Sequence, residues 1–476
     1  MSVSGHSESP SAGGKEPRTT SIVRRSLVLA ALYACLTLML RITETGTLSL
    51  LLAHLGADTL PRTFLAISFL DIPFALLYVW VDRRVATRPL LAALAVLLAA
   101  ITTVAMAFAG AHQGAGLFAA YLTAMVFNTL ITIHWGAALL ELFTVDESLR
   151  AVPVVYLGAH VGNLVAGLLL RHLAHPVGTE HLLVVVPLVA CGGVVALTAC
   201  ASRLEEGRQW RQGGAVPRGA VSLREAVRSL GMLGTSSLLR AIAWTTAVMV
   251  LLRLVLRFLY GTGFEHAFPD PDDLTRFLGT YTIAASVAAV VLQVVVLPVL
   301  LRWLGVGRLN LLFSYFSAAS LLASVVWPGL PAAVAGRFAD NELKAAVKTP
   351  VSPLFYEALG EGRRKDGRAV ILGVVSPLAT IASSLLLVAA THARLSLPTI
   401  AGAGVGFSLA FIVLSHVQGR AYDAALADQL VRRHRAETGE DGALLDTVLA
   451  RALRSDDRRL HDLALEVSRR RKPACG

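Results

Sequence analysis

Twelve stretches of largely apolar residues, most of them 20 residues or longer, recur between Ser26 and Gln418, near positions 26–53, 60–81, 89–110, 115–144, 151–173, 182–201, 232–261, 275–301, 307–327, 331–353, 369–392 and 396–417. Crossing about 30 Å of hydrocarbon takes roughly 20 apolar residues in a helix, so each stretch is long enough to span a bilayer. With 55% hydrophobic residues, 16% charged and a mean hydropathy of +0.63, the chain is too apolar for a soluble protein of 476 residues. The expected fold class is an all-α integral membrane protein with about twelve transmembrane helices, here called spans one to twelve.

The spans divide evenly. A polar stretch containing Gly213, Gly214 and Pro217 separates six from six. The expected organisation is an N-terminal disordered tail (1–23), a first six-helix membrane half (24–201), a cytoplasmic linker (202–231), a second six-helix half (232–417) and a cytoplasmic helical tail (418–476). Leu38-Met39-Leu40-Arg41 in span one echoes Leu254-Val255-Leu256-Arg257 in span seven. Internal repeats of this kind are typical of transporters with a central binding site. In the tail, helical periodicity runs over Tyr422–Arg435, Ala443–Leu453 and Leu460–Val467.

The formal charge of +11 would suit nucleic acid, but its distribution does not. Lys and Arg gather in alternate loops: Arg24 and Arg25; Arg83, Arg84 and Arg88; the six arginines from Arg203 to Arg228; Arg302 and Arg308; and Arg363, Arg364, Lys365 and Arg368. The opposite side holds Arg62, Arg171 and Arg394 with Glu265, Asp270, Asp272 and Asp273. The positive-inside rule places both termini in the cytoplasm, and the expected partner of this surface is the lipid bilayer, not nucleic acid. The first twenty residues carry no short apolar stretch with a cleavage site, so no signal peptide is expected. Cys35, Cys191, Cys200 and Cys475 have the spacing of neither a disulfide framework nor a zinc site.

Ionisable groups inside the spans are functional candidates, because charge in lipid is expensive. In span one, Arg41 and Glu44 are three residues apart and can pair as structure or face a water-filled path. In span seven, Arg253 and Arg257 are one turn apart and repel unless an anion or carboxylate lies between them; an interfacial anchoring role for Arg257 is the alternative. In span ten, Arg337, Asn341, Lys344 and Lys348 fall on one face at about 100° per residue. Such a stripe needs water or an anion, or else the lysines snorkel to the headgroups. Span four contributes Asn128, Thr132 and His134; the histidine reads either as a proton relay or as hydrogen-bonded packing. Gly158 and Gly162 form a small-xxx-small pair suited to helix packing.

The chain lacks Gly-x-x-x-x-Gly-Lys-Ser/Thr, His-Glu-x-x-His and Gly-x-Ser-x-Gly. It has no nucleophile–base pair or metal constellation, so neither an enzyme nor a cofactor is expected.

Three stretches resemble the bacterial and plastid ATP/ADP carrier family, nucleotide transporters of major-facilitator-like fold. They are Thr144-Val145-Asp146-Glu147-Ser148 running into Leu157-Gly158-Ala159-His160-Val161-Gly162-Asn163; Phe268-Pro269-Asp270-Pro271-Asp272-Asp273 with Phe277-Leu278-Gly279 and Gln293; and Lys344 to Pro350 followed by Tyr356-Glu357-Ala358-Leu359 and Val375-Ser376-Pro377-Leu378. The resemblance implies a cavity lined by spans one, four, seven and ten. The chain departs from the family at Glu44, which stands where relatives place lysine, at Arg257 and Ser352, and in span four, which has no carboxylate before Glu141. The expected function is a secondary transporter in a bacterial inner membrane that moves an anionic solute by alternating access. A nucleotide is the first candidate solute and a smaller phosphorylated or carboxylated metabolite the second. Arg41, Arg253, Arg257, Arg337, Lys344 and Lys348 would bind negative groups, Glu44 would couple, and Asn128, Thr132, His134 and Asn341 would orient the solute. The alternative is a non-transporting membrane scaffold or sensor whose cytoplasmic tail binds a partner.

Overall fold

The computed structural model describes residues 18–82, 84–111, 113–142, 145–204 and 231–438. The expected tail helices at Ala443–Leu453 and Leu460–Val467 lie outside the described residues, as does nearly all of the linker. Every described element is helical. That is what lipid demands, because a backbone amide in hydrocarbon must find its partner within its own segment or a closed barrel.

The first six spans are single helices: Arg18–Leu55, Leu60–Asp82, Thr87–Ala111, Gln113–Leu142, Val145–Val177 and Thr179–Leu204. Span seven is Ser237–Ala267, begun by Ser236, whose hydroxyl accepts from the Leu239 amide at 3.2 Å. Span eight starts at Pro271, capped by Asp270, whose carboxylate accepts from the amides of Asp272 and Asp273 at 2.8 and 3.1 Å. Helix then runs from Pro271 to Val326 in one stretch, and the chain reverses between spans eight and nine at Gly305, whose φ of 73° suits a residue without Cβ.

Among the described residues, ten segments are long and apolar enough to cross a membrane by length and composition. The Pro271–Val326 segment contains two crossings, and span ten is missed because Arg337, Asp340, Glu342, Lys344 and Lys348 dilute its hydropathy. The fold is therefore all-α with twelve crossings. Span twelve, Leu397–Thr438, continues without a break through the stretch expected as a separate helix at Tyr422–Arg435. Tyr422 packs edge-on against Phe355 at the end of span ten, their ring centroids 5.1 Å apart.

Three stretches widen to π-helix, all in the second half among the described residues: Leu292–Val296 in span eight, Ala339–Lys348 in span ten and Ile371–Val375 in span eleven. π-Helical segments are rare and frequent at functional sites.

Gly158 and Gly162 let span five press on span one: a Cβ on Gly158 would stand 2.0 Å from the Ala30 carbonyl oxygen, and one on Gly162 2.1 Å from Thr37 Oγ1. Spans five and eight also approach closely, since a Cβ on Gly279 would lie 2.8 Å from the Gly167 carbonyl. At the end of the bundle remote from the linker, carboxylates of the last six spans hold helix starts in the first six. Glu265 Oε2 accepts from the Ala57 amide at 2.8 Å, Asp272 Oδ1 accepts from the Thr179 amide at 2.8 Å, and His175 stands 3.2 Å from Asp273. An anion at a helix N-terminus is favourable on dipole grounds.

Candidate functional site

The wider i→i+5 turn of the π-helix at Ala339–Lys348 rephases every side chain of span ten. Arg337, Asn341, Lys344 and Lys348 consequently do not form the single stripe expected from 100° per residue. Their environments differ, and two carboxylates that the sequence reading passed over, Asp340 and Glu342, take part.

Asp340 is 1% exposed and lies between the two arginines of span seven. Arg253 Nε donates to its Oδ1 at 2.5 Å and Arg257 Nε to its Oδ2 at 2.8 Å. The carboxylate required by two cations one turn apart is thus supplied by another helix of the same half. Each arginine reaches Asp340 through Nε, and the terminal amino groups make no other hydrogen bond among the described residues. Those side chains keep 22% and 24% exposure, enough to meet a solute.

Arg337 is 2% exposed and sits among the rings of Tyr281, Tyr260 and Phe264, with its guanidinium carbon 5.4, 5.9 and 6.0 Å from their centroids. Its Nε has no hydrogen-bond partner, and no carboxylate lies within ion-pairing distance among the described residues. Cation–π contact offsets some of the burial cost. Glu342, also buried, accepts from the Tyr281 hydroxyl at 2.7 Å. Lys344 interacts with the charges of Arg253, Asp340 and Arg257 but makes no hydrogen bond or ion pair among the described residues. Asn341 is half-buried and likewise unbonded there. Lys348 is remote from this group: its ammonium donates to Asn310 Oδ1, and Asn310 Nδ2 donates to Gln418 Oε1 at 3.3 Å, tying span ten to spans nine and twelve.

Span one faces this assembly. Arg41 Nε donates to Asn163 Oδ1 of span five at 3.1 Å, and its Nη1 is 3.5 Å from Glu44 Oε2. The same oxygen is 3.5 Å from Asn128 Nδ2 of span four, and Thr132 reaches Asn128 Oδ1 at 3.5 Å. The charge of Arg41 acts on Glu342, and that of Glu44 on Arg337. Tyr121 of span four is buried, and the charges of Arg257, Glu44, Arg337 and Asp340 act on it. Spans one, four, seven and ten therefore contribute to one polar cluster. Arg41 and Arg257, the paired positions of the sequence repeat, both belong to it.

His134 does not. It is fully buried, with Nδ1 2.9 Å from the Tyr78 hydroxyl and Nε2 2.7 Å from the Thr87 carbonyl. Both ring nitrogens are thus occupied by spans two and three, and the histidine packs away from the other span-four candidates. His134→Phe is expected to remove two buried hydrogen bonds, to the Tyr78 hydroxyl and the Thr87 carbonyl, at a cost of about 0.5–1.5 kcal/mol each. Thermal unfolding should fall accordingly, while uptake per folded molecule stays within about twofold; a larger loss of uptake would return His134 to the solute path.

Asp340 and Glu342 carried a signal in the sequence. Two arginines one turn apart in lipid require a carboxylate, and the run Asp340-Asn341-Glu342 is an acidic pair inside a span.

No family profile matches this chain, and no curated protein matches it. Solved structures do match in fold. The nucleoside transporter NupG, in a mutant form, aligns over 83% of this chain and 99% of its own, with 10% identity and a TM-score of 0.60. The xylose transporter XylE from E. coli, in an inward-open conformation, aligns over 82% and 95%, with 14% identity and a TM-score of 0.54. An auto-inhibited POT family peptide transporter covers 85% and 96%, at 13% identity and a TM-score of 0.52. At these identities the likeness is one of fold, and the fold is major-facilitator-like. The narrower resemblance to ATP/ADP carriers has no counterpart among these structures.

Proposed function

We propose that this chain is a secondary transporter that moves an anionic solute by alternating access between its two six-helix halves. The observation that carries this is the cation-rich cluster where spans one, four, seven and ten meet, in a fold shared with transporters of nucleosides, xylose and peptides. Charge inside the bilayer is costly and is retained where it meets a solute or ion. Guanidinium groups suit carboxylate and phosphate because their planar fork donates parallel hydrogen bonds.

Arg253 and Arg257 offer their terminal amino groups to the solute, with Asp340 holding the pair together. Arg41 and Lys344 approach from spans one and ten. Glu44, shared by Arg41 and Asn128, is the carboxylate that exchanges partners when solute arrives. The contacts of Glu265, Asp272 and Asp273 with the first half close one end of the path and must part for it to open there. The basic linker side faces the cytoplasm of a bacterial cell. Given the resemblance to ATP/ADP carriers, a nucleotide is the first solute to test and a smaller phosphorylated or carboxylated metabolite the second.

Lys344 gives the direct test, because its ammonium has no partner among the described residues whose loss would weaken the fold. In proteoliposomes, Lys344→Ala should lower anion uptake by at least about tenfold, the worth of one lost charge contact of ~1.4 kcal/mol, with thermal unfolding level or raised. Uptake equal to that of the unaltered protein would sink the proposed mechanism.

A further inference from the structure

With each residue in its ordinary protonation state, the formal charge of the cluster is unbalanced. Arg41, Arg253, Arg257, Arg337 and Lys344 provide five positive charges, and Glu44, Asp340 and Glu342 provide three negative ones. Two positive charges are left over. Lys348 stands outside the sum, because it is bonded to Asn310 and none of the charged groups of the cluster acts on it.

The excess can also be located. Asp340 accepts from both Arg253 and Arg257 but cancels only one of their two charges, Glu44 takes Arg41, and the charge of Glu342 acts on Arg337. The excess is therefore one charge of the Arg253–Arg257 pair and that of Lys344, which has no ion-pair partner among the described residues and lies near enough to Asp340 and both arginines for their charges to act on it. Uncompensated charge in a low-dielectric interior is strongly unfavourable and is relieved by a bound counter-charge.

We infer that the site is matched to a solute bearing two negative charges, of the phosphomonoester or dicarboxylate class, in preference to monoanions and to polyanions such as nucleoside di- and triphosphates. This rests on the anion-transport reading above and narrows it. A nucleotide would then be accepted as its monophosphate. A monoanion leaves one cation uncompensated, whereas a tri- or tetra-anion brings in surplus negative charge beside Glu44, Asp340 and Glu342. The terminal amino groups of Arg253 and Arg257 present donors to either a phosphate or a carboxylate.

The test uses the full-length protein in liposomes without divalent metal, and follows uptake of radiolabelled AMP, succinate, lactate, ADP, ATP, uridine and xylose. AMP or succinate should enter at least about tenfold faster than the other probes, and whichever leads identifies phosphate or dicarboxylate as the source of the charge. Lys344→Gln, which lowers the excess to one, should reverse the order in favour of lactate, and Lys344→Arg should preserve the preference for two charges. Anion uptake led by ADP, ATP or lactate in the unaltered protein overturns the inference and leaves the transporter proposal standing. So does a Lys344→Gln preference that does not move. Uptake restricted to uridine or xylose, or no uptake at all, overturns the anion-transport proposal itself.

Discussion

Asp340→Asn is expected to unfold the second half at a markedly lower temperature and to abolish uptake. The carboxylate is buried between two guanidinium groups, at 2.5 and 2.8 Å. Removing one member of a buried ion network costs about 3–5 kcal/mol, because the charges left behind keep their desolvation penalty. Here two cations would be left, one turn apart on a single helix, with only a neutral amide between them. The double change Asp340→Asn with Arg253→Gln removes one of the stranded charges and should recover a large part of the lost stability, though not transport. Thermal unfolding in detergent, read beside proteoliposome uptake, separates these effects. If Asp340→Asn melts with the parent protein, the clamp does not exist in the membrane.

Arg337→Met is expected to do the opposite to stability. An arginine that is 2% exposed, with its Nε unbonded and no ion-pair partner among the described residues, is a burden to folding, relieved by the rings of Tyr260, Phe264 and Tyr281 and by the charges of Glu44 and Glu342. Exchanging buried charge for an apolar side chain of similar length is commonly neutral or stabilising by about 1–4 kcal/mol. Melting should therefore stay level or rise, while uptake falls by about two orders of magnitude, the scale of ~2.7 kcal/mol in binding or barrier. A purely structural Arg337 would show the reverse pattern, a loss of stability with transport intact per folded molecule. Arg337→Lys keeps the charge without the planar fork and should fall between the two.

The two variants divide the cluster by kind. Asp340 and its arginines form a satisfied network that holds spans seven and ten together, and breaking it harms the fold. Arg337 and Lys344 are the unsatisfied groups, kept at a cost to stability. Costly groups held in place are where function is expected.

Much of the fold could be read directly from the residues. The twelve apolar runs and the small glycines of span five follow from local chemistry, because a helix in lipid is dictated by the length of its own hydrophobic stretch. The caps at Ser236 and Asp270 are equally local. Arg41, Arg253, Arg257 and Lys344 were identified as candidates because charge is rare in such stretches, and the need for a carboxylate between Arg253 and Arg257 followed from like-charge repulsion alone.

Only the tertiary structure decided which carboxylate that is. Asp340 lies 83 residues from Arg257 in the chain, and no spacing rule connects positions on different helices. It also separated four residues of span ten that an α-helical period had placed together. A π-helix satisfies its backbone as fully as an α-helix, so the choice between them is made by how side chains pack on neighbouring spans, not by the segment itself. The partners of His134, left open between relay and packing in the sequence, were decided for the same reason, since Tyr78 and Thr87 belong to other helices. The sequence by itself determined how many times this chain crosses a membrane and which crossings carry charge. Which charges meet, and which are left without a partner, was set by helix packing, where burial turns small differences in distance into large differences in energy.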